Sequence, residues 1–289
     1  MTDARAGKRW PKTIALLLPE PQLYGPPSPY WTAIISSAMR AGAMHRCTVV
    51  LSSADRVFAS WKPGDDLLDV PIAGALITTP LVGIPVANFL ARLPVPFVTL
   101  GRIGGQSPSF VDCDHAEGIA AAVRELYGMG HRRIVHLSGP PVSYAALLRV
   151  EGFQKAMAEM GLECAPESII SGNFTPAAGE AAAAEIIGMK PMPTAVVCGN
   201  DESAIGLIRG LARMGVSVPR DISVTGFDDI PMAAAIYPSL STLRAPMREM
   251  ADAAVSWLMK AIENEGGSME PPNAIFKSSL ILRESVRRL

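Results

Sequence analysis

One stretch limits the fold more than any other: residues 193–229, PTAVVCGNDESAIGLIRGLARMGVSVPRDISVTGFDD. Ala195–Cys198 is a short apolar run of the kind that forms a buried strand. Gly199 and Asn200 break it. Asp201 and Glu202 then open a helix, where carboxylates suit the positive end of the helix dipole. Ala204, Ile205, Ile208, Leu211 and Ala212 recur at helical spacing, and Gly215 stands where a C-cap is wanted. Pro219 follows, Ile222–Thr225 is the next strand, and Gly226–Asp229 ends it. Strand, helix, strand in this order is a β-α-β unit with parallel strands. Asn200 and Asp228 or Asp229 then lie just past the carboxyl ends of two neighbouring strands, where open α/β sheets bind ligands. An amide and a carboxylate there offer hydrogen bonds to hydroxyl-rich molecules.

The rest of the chain is consistent with that unit. At 289 residues it has room for two domains. Abundant alanine and glycine with few aromatics suit helices packed on parallel sheets. The net charge of −1 lacks the basic excess of a free-standing DNA-binding protein. No apolar run reaches the ~20 residues of a membrane span, and MTDARAGKRWPKT lacks the apolar region of a secretory signal. Cys47, Cys113, Cys164 and Cys198 have no metal-type spacing and read as buried free thiols, which points to a cytoplasmic compartment. No nucleophile elbow, phosphate loop, zinc motif or dinucleotide fingerprint is present, so the chain reads as a non-enzyme without cofactor or metal.

Strands are expected at 13–18, 47–51, 72–79, 95–100, 134–137, 167–170, 239–243, 274–277 and 279–283. Helices are expected at 30–41, 84–92, 115–127, 149–160, 176–189, 231–237 and 246–264; residues 54–69 resist assignment. His131 reads as a turn residue bonded locally, and Arg132 and Arg133 as solvated or paired rather than as a nucleic-acid patch. Asn173-Phe-Thr175 matches a glycosylation pattern that is discounted without a signal peptide.

The ordered run PTA-strand-GND, a helix ending MGVSVP and then DISVTGFDD resembles the lactose-repressor/galactose-repressor family of bacterial transcription regulators. The resemblance extends through GHRRI at 130–134, Arg149 ahead of Glu-Gly-Phe, and the closing ILRES, and covers about residues 3–289. It implies an α/β fold of two doubly wound parallel-sheet lobes, periplasmic-binding-protein-like, joined by three crossovers near 109–113, 238–243 and 270–274. Residues 1–12 would be a hinge-like remnant, 13–110 with 240–271 the N-terminal lobe, and 111–239 with 272–289 the C-terminal lobe. It also implies a ligand-sensing core that forms a homodimer and binds a small polar effector, a sugar or sugar derivative, between its lobes. Operator DNA would be reached only through an N-terminal helix-turn-helix head, which these residues do not include. The competing reading is a solute-binding protein of a sugar transporter, which shares the two-lobed fold.

The resemblance also points to particular side chains. Tyr30 and Trp31 stand where the family has an aromatic pair that lines the pocket; ordinary helix packing is the alternative. Gly101 stands where the family often has an acid, so one carboxylate contact is absent, while Arg102 is either a ligand donor or a surface arginine. Arg149 matches an arginine that reaches ligand hydroxyls, against a surface pair with Glu151. Phe174 matches an aromatic that stacks on a ligand ring, against plain packing. Asn200 and Asp228 complete the expected ligand-binding set.

Overall fold

The computed structural model describes residues 12–19, 28–60, 62, 67–68, 70–78, 89–104, 108–264 and 269–289. In chain order they form β1 (Thr13–Leu18), α1 (Pro29–Met44), β2 (Thr48–Ser53), α2 (Ala54–Ser60), β3 (Gly74–Thr78), β4 (Phe97–Leu100) and β5 (Phe110–Cys113). There follow α3 (His115–Gly128), β6 (Ile134–Leu137), α4 (Tyr144–Glu159), β7 (Ile169–Ile170), α5 (Pro176–Gly188), β8 (Ala195–Cys198), α6 (Asp201–Arg213) and β9 (Ser223–Asp228). The chain ends with α7 (Pro231–Ala235), β10 (Ser241–Arg244), α8 (Met247–Glu263), β11 (Asn273–Phe276) and β12 (Ser279–Ile281). The strands make two six-stranded sheets, in the orders β11-β5-β4-β3-β1-β2 and β12-β10-β9-β8-β6-β7. The described residues divide into two compact units, one of those up to 80, 89–111 and 247–274, the other of 112–246 and 275–289.

In the first unit β1 pairs in parallel with both β2 and β3, so it is central, and every residue after Thr13 is buried. Ala15, Leu17, Ala75 and Ile77 pack with Val57 of α2 and with Leu90. Helices α1 and α8 pack on each other, and Arg40 donates to both oxygens of Asp252 at 2.7 Å.

In the second unit β6, β8, β9 and β10 run parallel, and β12 closes the edge antiparallel to β10. The strand period of two sends Val135, Val196, Cys198 and Val224 into one core with α5 and α6. The alternate set faces the other way, where His136 stacks on Phe153 of α4 at 5.3 Å. Phe153 and Phe227 are fully buried, and each such side chain contributes about 1.5–3 kcal/mol. Each helix pair is drawn together at a glycine. A Cβ at Gly152 would stand 2.1 Å from Ala116 O, and one at Gly206 1.9 Å from Pro176 O. Among the described residues no helix is long and apolar enough to cross a membrane.

Cys164, expected buried, is half-buried, and His131, expected to bond locally, meets Thr194 and Arg287. Three expectations about elements and units also shift. Helix α4 begins at Tyr144 rather than 149, because Ser143 caps it by accepting the Ala146 N–H. Residues 54–60, left unassigned, are helical. Strand β10 hydrogen-bonds to β9, so the unit boundary falls after 246 instead of before 240. Residues 1–11 of the hinge-like segment and most of the expected helix at 84–92 lie outside the described residues.

Candidate functional site

The carboxyl edge of the second sheet is built from the ends of β6, β8 and β9 and the starts of α3, α4 and α6, with Asp112 of the same unit just ahead of α3. Strand β8 stops at Gly199, and Asn200 caps α6. Asn200 Oδ1 accepts from Ser203 N at 3.0 Å and Ser203 Oγ at 2.6 Å, and its Nδ2 donates to Phe174 O at 2.9 Å. The amide expected to meet a ligand is thus engaged at both ends, in the cap role that an Asn before Asp-Glu signals. Its effect on the site is to hold Phe174. That residue has a left-handed φ of 67°, and its ring covers Gly139, where a Cβ would stand only 2.0 Å from a ring carbon.

Asp201 accepts the Ile230 N–H at 2.8 Å and the Thr242 hydroxyl, and burial pushes its pKa up to about 7. It needs a neighbour with no side chain, since a Cβ at Gly226 would lie 2.1 Å from its Oδ1. Past Gly226 the strand ends on Asp228 and Asp229, with φ of 116° and 58°. Non-glycine residues held there cost about 1–3 kcal/mol each and persist where their surroundings enforce them. The two acids diverge in environment. Burial pulls the Asp229 pKa upward, but Arg283 and Arg244, both at 2.6 Å, outweigh it and hold the group below the usual range. Asp228 is buried with no hydrogen bond to its Oδ1. Burial raises its pKa well above the ordinary value against the opposing charge of Arg149, and Asp201 and Glu202 raise it further.

Arg149, on α4, is 5% exposed and turned inward, away from the alternative partner Glu151. Its Nη1 donates to Gly199 O, and its Nη2 lies 3.7 Å from Asp228 Oδ1. The guanidinium carbon is 3.9 Å from the Phe227 ring centre and 5.3 Å from that of Phe174. The opposite edge, Nε and Nη2, faces His115 Nδ1 at 3.3 and 3.2 Å. His115 Nε2 is 3.0 Å from Asp112 Oδ1.

Arg149, Phe174, Asn200 and Asp228 are therefore assembled on one unit. The remaining expected residues belong to the other. Tyr30 and Trp31 begin α1, half-buried and edge-to-face at 5.2 Å. Arg102 is half-buried after β4, 5.9 Å from the Phe110 ring centre. Gly101 before it has φ of 101° and donates its N–H to Val111 O, so the missing acid is replaced by a residue suited to that backbone. Sequence reasoning missed Asp112, His115 and Phe227. The available signal was the polar Asp112-x-x-His115 at a strand-to-helix junction.

Asp112, Cys113 and His115 are the described residues whose ligand atoms lie close enough to share a metal ion. They do not suit one. A metal-binding imidazole ordinarily donates its other N–H outward, but Nδ1 here meets the donor groups of Arg149. Burial first, then Asp112, raises the Cys113 pKa, so the thiol stays protonated.

The family model described as "Periplasmic binding protein-like domain" matches residues 123–286. The transcriptional regulator AscG of Escherichia coli K12 is 34% identical over 192 residues, 66% of this chain and 56% of AscG. The regulator MalR of Streptomyces coelicolor is 33% identical over 230 residues, 76% of this chain and 65% of MalR. The chain thus spans less than two thirds of these curated relatives. Among solved structures, the regulator CelR in complex with cellobiose superposes with a TM-score of 0.84 at 26% identity, covering 97% of this chain and 87% of that one. A LacI-family regulatory protein from Chloroflexus aggregans gives 0.82 at 26% identity, covering 95% and 98%.

Proposed function

The chain belongs to the LacI family of transcriptional regulators as an effector-binding domain, and on that premise we propose that its effector is a sugar or sugar derivative held by Arg149, Asp228 and Phe174. The observation that carries this reading is the buried Asp228 Oδ1 without a hydrogen bond, 3.7 Å from an Arg149 nitrogen. A bare acceptor beside an N–H donor suits a hydroxyl, which both donates and accepts. Phe174 supplies an apolar face for the C–H side of a pyranose or furanose ring. The CelR complex with cellobiose supports a carbohydrate. Asn200 is proposed to act through Phe174.

We further propose that the domain works as a homodimer and governs operator binding by a DNA-binding head. Ligand would act by its differential affinity for two arrangements of the protein.

The test is a thermal-shift screen against sugars, sugar phosphates, polyols and nucleobases, with Arg149→Lys and Asp228→Asn alongside. A ligand at about 100 times its Kd adds about 2.7 kcal/mol of stability. The expected result is a carbohydrate hit that disappears in both variants. A hit that survives in both would remove the site assignment, and a nucleobase hit would replace the ligand class.

A further inference from the structure

A flexible arginine is a specific donor only when something fixes its guanidinium. Here Phe227 supports one face, and Gly199 O takes one N–H. Neither contact engages the Nε edge. We propose that His115, oriented by Asp112, is the positioning residue that sets Arg149 as a donor in the effector site. The placing of that site rests on the functional reading above.

A guanidinium has N–H groups and no lone pair to offer. Its Nε and Nη2 both face His115 Nδ1, at 3.3 and 3.2 Å. Nδ1 must therefore be the bare nitrogen, and the imidazole proton sits on Nε2. That atom is 3.0 Å from Asp112 Oδ1, the acceptor this tautomer needs. Asp112 is itself fixed, since the same Oδ1 accepts the Cys113 N–H at 2.9 Å. Cys113 Sγ, 3.4 Å from Nδ1, is a protonated thiol and so adds a weak donor. The two guanidinium nitrogens that meet Nδ1 thus face it as donors.

The remaining neighbours complete the cage. The Phe227 ring centre is 5.6 Å from that of His115, and Asp228 approaches Arg149 from β9. His115, Asp112 and Arg149 are all nearly inaccessible to water, so water cannot readily substitute for a lost acceptor. An apolar residue at 115 would strand the Nε–H of Arg149 and release that edge of the guanidinium. A protonated His115 would do the same, because Nδ1 would become a donor facing donors. Asparagine is different: its Oδ1 falls near the place of Nδ1 and accepts, although it loses Asp112.

The test uses the whole ¹⁵N-labelled chain without any ligand, so it reads this relay even where a ligand screen finds nothing. Long-range ¹H–¹⁵N spectra of the wild type should show His115 protonated on Nε2 and bare on Nδ1. The Arg149 Nε–H should be resolved and slow to exchange. His115→Leu should speed that exchange by about tenfold or more, the size of one lost hydrogen bond. His115→Asn should keep it within about threefold, at the weak end of a retained hydrogen bond. A proton on Nδ1 in the wild type, or exchange as slow in His115→Leu as in the wild type, overturns the proposal. Should His115→Leu fail to fold, the wild-type tautomer and the Asn variant decide.

Discussion

The two ends of the second sheet treat their polar groups in opposite ways. At the amino end His131 is fully buried, with Nδ1 3.0 Å from Thr194 Oγ1 and Nε2 3.0 Å from Arg287 O. The chain terminus is tied down beside it, Leu289 N donating to Met129 O at 2.9 Å. At the carboxyl end Phe174, Asp228 and Asp229 hold left-handed backbones, and Asp228 Oδ1 is buried without a hydrogen bond. One end satisfies its groups and stabilises the fold. The other keeps strain and an open acceptor in place, which costs stability.

Asp201 gives that contrast its largest measurable effect. Its folded pKa of about 7 lies above the ordinary 3.8, so it contributes stability below that ordinary value that is lost as pH rises through about 7. Asn at this position can accept from Ile230 N and donate to Thr242 Oγ1, preserving both contacts while removing the charge. Asp201→Asn should gain on the wild type by about 3 kcal/mol between pH 4 and pH 7, most of the full shift. Urea melts across that range measure it, and a gap constant with pH would break the contrast at its strained end.

At the satisfied end, His131→Leu removes two contacts and leaves Thr194 Oγ1 and Arg287 O short of a partner. The expected loss is about 2–3 kcal/mol in equilibrium unfolding, with effector binding unchanged. If binding fell while stability held, the two ends would not be separable in this way.

The smallest effect sharpens the picture at Asp229. Arg244 is largely exposed, and Arg283 is more protected and remains when Arg244 is removed. Arg244→Ala should therefore cost less than about 1 kcal/mol. A larger loss in thermal or urea melts would show that Asp229 needs both arginines to hold its backbone.

Much of this was legible in the chain. The buried run at 195–198, the helical spacing after Asp201 and the return at 222 placed Asp228 at the edge of a parallel sheet. Local chemistry also carried information: Asn200 before Asp-Glu is a cap pattern, and a cap is what it makes. The start of α4 was missed because Pro140 and Pro141 mask the cap at Ser143, and β10 was assigned to the wrong unit because a lone strand does not announce its neighbours. The partnership of His115 with Arg149 was not legible, because the two lie 34 residues apart on different helices.

By itself the sequence determined most of the elements, their alternation and therefore two largely parallel sheets, because period and turn chemistry act over a few residues. Only the tertiary structure decided which edge residues have their hydrogen bonds met by protein and which do not. Asn200 and Asp228 look equally available in the chain. Packing gave one its partners in Ser203 and Phe174, and buried the other beside a guanidinium that His115 turns toward it. Hydrogen-bond satisfaction inside a protein depends on which distant groups arrive at the same point, and that is a property of the fold.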